Sequence, residues 1–487
     1  MRLSYLAYTF SLAMMYYSFV LLIPVIVALI FNEMNAILPF FTAGTSALLL
    51  ACTLRKVIPG VRNVKSVNDI KKSEGLFVVT LCWIFAGLFA MIPYLFFGVT
   101  PLNAFFEATS GITATGATIF NHFDYPRTLF FWRSFSQWLG GMGIIVLFIA
   151  ILPQFAIAGR QLFFAEAPGP TEEKLTPRIK STALSLWKIY FGMTILEMLL
   201  LKFNGVEWFN AICHSFSSVS GGGFSPHADS IIGYSNNILW IICFFMFFAG
   251  ASYNLQYRAW TKFNPLLLFK NEEFRTYFSI VIGLALLLGC SLYFHSHYDI
   301  LNSLTHSFFQ ICSVISTTGF CSVDFASWDY TSKVLLFIAM LAGSCASSAG
   351  GGIKIVRWLL VLKIMKSELA KILHPKAVYN IKIGRYSVSK DILYQTLMFV
   401  SFYLMILVFS ILVIAIIEQN TTIAITSAVS ALGNIGPGLG NIIGPLGSYD
   451  SLNDVSKFII ALDMYIGRLE LIPFLVLFQK DIWLIRS

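Results

Sequence analysis

Residues 430–447 read SALGNIGPGLGNIIGPLG, with six glycines and two prolines in eighteen positions. The stretch lies between two apolar runs, 391–417 and 455–478, each long enough to cross a bilayer as a helix. Hydrophobic residues make up 57% of the 487-residue chain, aromatic residues 16% and charged residues 12%, and the mean hydropathy is +0.76. That composition excludes a soluble domain and marks a polytopic membrane protein. Backbone groups cannot go unpaired in lipid, so non-helical chain at membrane depth must be buried in protein or line a water-filled path.

Three further stretches follow the same pattern: FEATSGITATGATIF, CHSFSSVSGGGFSPH and FQICSVISTTGFCSV, beside TSAVSALGNIGPGLG. Aligned on Gly116, Gly223, Gly319 and Gly436, they share a serine six residues earlier (Ser110, Ser217, Ser313, Ser430). Four residues earlier each has an aliphatic residue (Ile112, Val219, Ile315, Leu432). The glycines are 107, 96 and 117 residues apart, which implies four repeated units. Each unit is expected to run membrane helix, short re-entrant helix, glycine turn, membrane helix. The short segments, such as 103–113 and 210–220, are too brief to span at ~1.5 Å per residue. The expected fold is therefore an all-α polytopic membrane protein. An N-terminal helix pair (1–72) precedes repeats over 73–160, 161–262, 263–380 and 381–487, closed around a pseudo-fourfold pore.

A cation stripped of water needs oxygens around it, and backbone carbonyls supply these without a full charge that would trap the ion. Glycine lets such a backbone turn and approach its neighbours closely. The expected cation-binding filter is Ala114, Thr115 and Gly116; Gly221, Gly222 and Gly223; Thr317, Thr318 and Gly319; Asn434, Ile435 and Gly436. Helix C-termini aimed at it would add partial negative charge. Close helix packing is the competing use of intramembrane glycine, and it suits isolated cases such as Gly140 and Gly143. No GxxxxGK[ST] string occurs.

Ten apolar segments are long enough to span: 9–31, 36–54, 75–97, 131–153, 184–203, 237–257, 274–294, 332–366, 391–417 and 455–478. The first is too long for a signal peptide and is read as a retained helix. An even number puts both termini on one side. Basic residues crowd alternate loops, among them Arg62, Lys65 and Lys71, then Arg160 and Lys174, then Arg258 and Lys262, then Lys371 and Arg385, which marks these loops as cytoplasmic. The net charge of +9 thus reflects topology rather than nucleic acid. Segments 203–257, 294–332 and 417–456 hold no Lys or Arg but several acids, an outer face that concentrates cations. The eight cysteines are scattered without metal spacing, and His295 and His297 lack a third ligand. No catalytic constellation is present, so the chain is not read as an enzyme.

Segment 332–366 would reach roughly 50 Å as one helix, against a core of about 30 Å. Its middle, Gly343, Ser344, Cys345, Ala346, Ser347, Ser348, Ala349, Gly350, Gly351 and Gly352, suits either a break or close packing. Lys354 and Arg357 beyond it are read as topology anchors. Arg468 lies deep in the last span, where a charge must face the protein interior. Neither Asp463 nor Glu470 has helical pair spacing to it, which leaves loop carbonyls or the hydroxyls of Ser344, Ser347 or Ser348 as partners.

Taken together, TATGAT, GGGFS, STTGF, GNIGPG and AGSCASSAGGGIKIVR resemble the Trk/Ktr/HKT superfamily of potassium transporters, and most closely its bacterial TrkH type. The resemblance covers nearly the whole chain, with 9–54 as the extra helix pair. It implies gated K⁺ uptake across the cytoplasmic membrane, with both termini inside. It also implies a homodimer with one pore per subunit, no cofactor on this chain, and a cytoplasmic nucleotide-binding regulatory ring of the TrkA type, for which the basic loop 367–390 is the candidate docking surface. It further implies that 343–352 is a gating loop and that Arg468 holds it. The second filter strand departs from the family, with Gly222 where a hydroxyl residue is commoner. A symporter coupled to H⁺ or Na⁺ is the alternative and would need an ionisable residue in the pathway, which the glycine stretches lack. A membrane enzyme or scaffold would need a reactive cluster.

Overall fold

The computed structural model describes residues 2–58, 61, 72–151, 175–296, 298–376, 379–384 and 386–471. Arg62, Lys65, Lys71, Arg160, Lys174, His297, Arg385 and the last part of the span expected to end at residue 478 lie outside the described residues.

Helices α1 (Leu3–Leu21), α2 (Ile23–Ile30) and α3 (Met34–Val57) form the N-terminal pair, with Pro24 in the first turn of α2. Buried Ala36, Phe40, Ala43, Ala47 and Ala51 recur every three or four residues along α3, a small-residue face that lets helices pack closely. The first unit is α4 (Lys72–Ala90), α5 (Ile92–Phe96), α6 (Pro101–Ile112) and α7 (Arg127–Ile151). The second is α8 (Leu175–Phe203), α9 (Trp208–Ser220), α10 (Asn236–Ala249) and α11 (Tyr253–Thr261), followed by the connector α12 (Leu266–Lys270). The third is α13 (Glu272–His295), α14 (Ile300–Ile315), α15 (Tyr330–Ala342) and α16 (Ile355–Leu373). The fourth is α17 (Lys390–Glu418), α18 (Thr421–Gly433) and α19 (Asp454–Arg468).

Side chains of Asn271, Asp329, Asn420 and Asn453 cap α13, α15, α18 and α19 by accepting backbone amides. The short helices α6, α9, α14 and α18 lie at the centre: every residue from Thr426 to Gly433 is buried. The long helices surround them and turn apolar side chains outward, as Phe409 and Ile416 do at 63% and 75% exposure. A lipid-facing belt requires that pattern.

Several elements differ from expectation. The short helices α6 and α9 begin at Pro101 and Trp208, two residues early, and Pro101 suits a first turn whose amide needs no partner. Segment 237–257, expected as one span, bends by 103° between α10 and α11. The break frees the carbonyls of Ala249 and Gly250, which accept the amides of Ala349 and Cys345 at 3.2 and 2.9 Å. Among the described residues, five helices are long and apolar enough to span alone, with this bent pair as a sixth. Segment 332–366, by contrast, breaks at its small-residue middle as expected, into two helices, α15 and α16, separated by residues 343–354. The last helix stops at Arg468, followed by Glu470 and Leu471 at positive φ. The basic loop contains a small hairpin, β1 (Lys382–Ile383) with β2 (Tyr386–Ser387), beside otherwise helical structure.

Candidate functional site

The four glycine stretches share one backbone course. In each, the amide just before the glycine (Thr115, Gly222, Thr318, Ile435) donates to the carbonyl of the repeated serine, at 2.8 to 2.9 Å. The serine's backbone makes this bond, so it accounts for the spacing and not for the residue type. Two residues before each glycine, φ is positive: 49° at Ala114, 68° at Gly221, 60° at Thr317 and 54° at Asn434. Each glycine is positive again, at 89°, 76°, 80° and 108°. In an ordinary strand successive groups alternate sides. Reversing φ at every second residue lets successive carbonyls share one side. Non-glycine residues rarely take such angles, and clusters of them mark functional backbone.

The four stretches close into a cycle. A Cβ added to Gly116, Gly223, Gly319 or Gly436 would lie under 3.0 Å from a carbonyl oxygen of the next stretch: Gly222, Thr318, Ile435 and Thr115 respectively. In every case that carbonyl belongs to the residue just before the neighbour's glycine. Only glycine permits this approach on all four sides of the ring. Asn434 stitches the last unit to the first, its Nδ2 donating to Thr115 Oγ1 at 3.0 Å and to the Met464 carbonyl at 2.9 Å.

On one side of the ring is a cavity of about 140 Å³ bordered by all four glycines, Arg133, His227 and Tyr449. Residues 437–447 run as irregular chain with bends and turns, and Tyr449 then donates its amide to the Thr118 carbonyl at 2.9 Å. Arg133 and Glu107 make a buried ion pair beside this cavity at 2.7 Å, with Thr118 and the Ile119 amide completing it.

On the other side, residues 343–352 lie against the ring. Gly350 abuts the Ser316 carbonyl and Gly351 abuts the Gly433 carbonyl and Asn434, each so closely that a Cβ would come under 3.0 Å. The Gly351 amide donates to Thr317 Oγ1 at 2.8 Å. The stretch therefore touches the third and fourth glycine loops at their helix-proximal ends. Other backbone groups of the stretch bond to neighbouring elements: the amide of Ala346 donates to Glu273 Oε1 at 2.6 Å, and the Ser347 carbonyl accepts the Tyr253 amide at 3.0 Å.

Two buried cations hold its carbonyls. Arg468, 2% exposed, donates to Ala349 O at 2.7 Å and to Gly140 O at 2.9 Å. The hydroxyls of Ser344, Ser347 and Ser348, expected as possible partners, are not used by it; the carbonyl at 349 lies in line with the guanidinium instead. Lys354, read from sequence as an anchor, is buried and donates to the Gly350 carbonyl and to Ser344 Oγ. Arg357 likewise pairs with Glu470 at 2.6 Å and stacks on Phe399. All of these, and the Arg133–Glu107 pair, carry one signal that was legible: an ionisable residue inside an apolar run must have a partner.

A cyclic set of carbonyl-bearing loops, open to a cavity on one face and covered by a cation-held loop on the other, can strip and pass a cation and be closed. The profile of the TrkH family, described as cation transport proteins, matches residues 92–483. The chain is 36% identical to the Trk system potassium uptake protein TrkH of Salmonella typhimurium, with 97% of this chain and 98% of that protein covered. It is 31% identical to the Trk system potassium uptake protein TrkG of Escherichia coli, over 96% of each. The crystal structure of the potassium transporter TrkH from Vibrio parahaemolyticus matches with a TM-score of 0.87 at 30% identity, covering 99% of this chain and 100% of that one.

Proposed function

This chain belongs to the TrkH family of cation transport proteins, and we propose that it is the membrane pore for K⁺ uptake, with the four glycine loops as selectivity filter and residues 343–352 as gate. The observation that carries this reading is the closed cycle of glycine-to-carbonyl contacts among the four loops. The residues carried as the filter are those named from sequence, from Ala114 to Gly116 through Asn434 to Gly436. K⁺ enters from the cavity side, exchanges water for loop carbonyls, and is drawn inward by the membrane potential, about 2.3 kcal/mol per charge per 100 mV.

In the closed state Gly350 and Gly351 obstruct the far side of the filter. The charges of Arg468 and Lys354 both pin that loop and oppose a cation leaving the ring. Opening means breaking their bonds to the Ala349 and Gly350 carbonyls and moving the loop aside. The chain works as a homodimer in the bacterial inner membrane with both termini cytoplasmic, and a nucleotide-binding ring of the TrkA type docks on the basic loop 367–390 to drive the opening.

The test is ⁸⁶Rb⁺ or K⁺ flux into proteoliposomes at a clamped potential, with regulatory partner and nucleotide supplied. Flux that needs neither a H⁺ nor a Na⁺ gradient is expected. Absence of any ion movement overturns the pore reading, and an obligatory co-ion overturns the uncoupled channel.

A further inference from the structure

The four filter loops are not braced alike. In the first, the hydroxyls of Thr113 and Thr115 lie 2.7 Å apart, and in the third those of Ser316 and Thr318 do the same. In the fourth, Ile435 is fully buried and the Tyr449 hydroxyl donates to the Gly436 carbonyl at 2.8 Å. The second loop has no side chain at Gly221, Gly222 or Gly223 with which to do either.

Its support comes from α7 of the preceding unit. Gln137, wholly buried, donates Nε2–H to the Gly222 carbonyl at 2.6 Å and accepts the Phe224 amide on Oε1 at 3.0 Å. A carbonyl on one side and an N–H on the other fix which way round the amide sits. One turn earlier on the same face, Arg133 donates to the Ser225 carbonyl at 3.1 Å. A Cβ on Gly222 would lie under 3.0 Å from the Gln137 side chain, so the two occupy one space. Gln137 and the absence of a side chain at 222 are a matched pair.

We propose that Gln137 is a positioning residue for the second quarter of the filter, taking from α7 the place of the side chain that Gly222 lacks and setting how strictly K⁺ is preferred over Na⁺. The inference rests on reading the glycine loops as a K⁺ filter. Three successive glycines have the greatest backbone freedom of any tripeptide. A carbonyl ring with one slack strand can contract around the smaller ion, and its preference falls. Gln137 removes that slack at two backbone groups. It also occupies one of the two lone pairs of the Gly222 carbonyl, leaving one for an ion.

The test measures reversal potentials under K⁺ and Na⁺ gradients, together with total flux and thermal stability, on the full-length protein in liposomes. Gln137→Ala is expected to lower K⁺-over-Na⁺ preference about three- to tenfold, the size of losing a buried hydrogen bond or two, with flux retained. Gln137→Met, of similar length but with no group to donate to Gly222 or to accept from Phe224, is expected to lose preference too, and it serves where the alanine variant does not fold. Gly222→Thr alone should damage the filter by collision, whereas Gly222→Thr added to Gln137→Ala should regain preference, because the vacated space takes the new side chain. Unchanged preference in both Gln137 variants overturns the proposal, as does a double variant no better than Gln137→Ala. A wild-type protein without K⁺ preference overturns the filter reading itself, and this inference with it.

Discussion

The two irregular backbone regions at the centre of this protein are held by different physics. The glycine ring is held by short-range backbone contact: each glycine meets a neighbouring carbonyl, and no ionised side chain bonds to the glycines themselves. The stretch 343–352 also packs closely at Gly350 and Gly351, but the rest of it is fastened by hydrogen bonds, and charged groups make several of these: Arg468 and Lys354 on its carbonyls and Glu273 on an amide. Close packing has no intermediate state to move through, because interiors are dense and resist small shifts. A handful of charge-assisted hydrogen bonds can be exchanged for others, so a segment held this way has two available positions. In the function proposed above, selectivity is assigned to the first kind of structure and gating to the second.

Substitutions sharpen or break this contrast. The largest effect is expected from Gly223→Ala, which puts a methyl at φ 76° against the Thr318 carbonyl. Strain of about 1–3 kcal/mol should cut K⁺-over-Na⁺ preference by up to roughly a hundredfold in reversal-potential measurements; full preference would remove that glycine from the filter. Gly436→Ser should lose less, on the order of tenfold, while the protein still folds. Its contact with the Thr115 carbonyl is the loosest of the four, at 2.7 Å for the added atom. Intact preference there would show the fourth loop to be scaffolding.

Gate substitutions should instead leave preference alone and raise flux. Arg468→Ala deletes two buried charged hydrogen bonds worth about 1.5–3 kcal/mol each, and basal ⁸⁶Rb⁺ uptake without partner is expected to rise at least tenfold. Lys354→Met keeps the stem but not the charge, and a rise of about threefold is expected. If either gate variant altered K⁺ preference with no change in basal uptake, the division between ring and loop would fail.

Much of this arrangement was readable beforehand, for identifiable reasons. The serine and glycine recur at one spacing because four equal units meet at one axis, so the pattern of Ser110 to Gly116 returns three times in the chain. The small-residue run from Gly343 to Gly352 and the charge at Arg468 were visible because lipid tolerates neither without a partner. The 103° bend at Gly250 was not visible, since nothing in 237–257 interrupts the apolar run strongly enough. The carbonyls that the bend frees are met by a loop far downstream in sequence, which donates the amides of Ala349 and Cys345 to Ala249 and Gly250.

By itself, then, the chain's order of residues determined the four units, the apolar belt and the identity of the ring glycines, because those follow from periodicity and from what a bilayer excludes. Tertiary structure alone decided which cation holds which carbonyl, why Lys354 is buried, and why Gly222 has Gln137 in place of a side chain. Those depend on groups far apart in sequence meeting within a hydrogen-bond length, and spacing along a chain does not encode a distance across the ring.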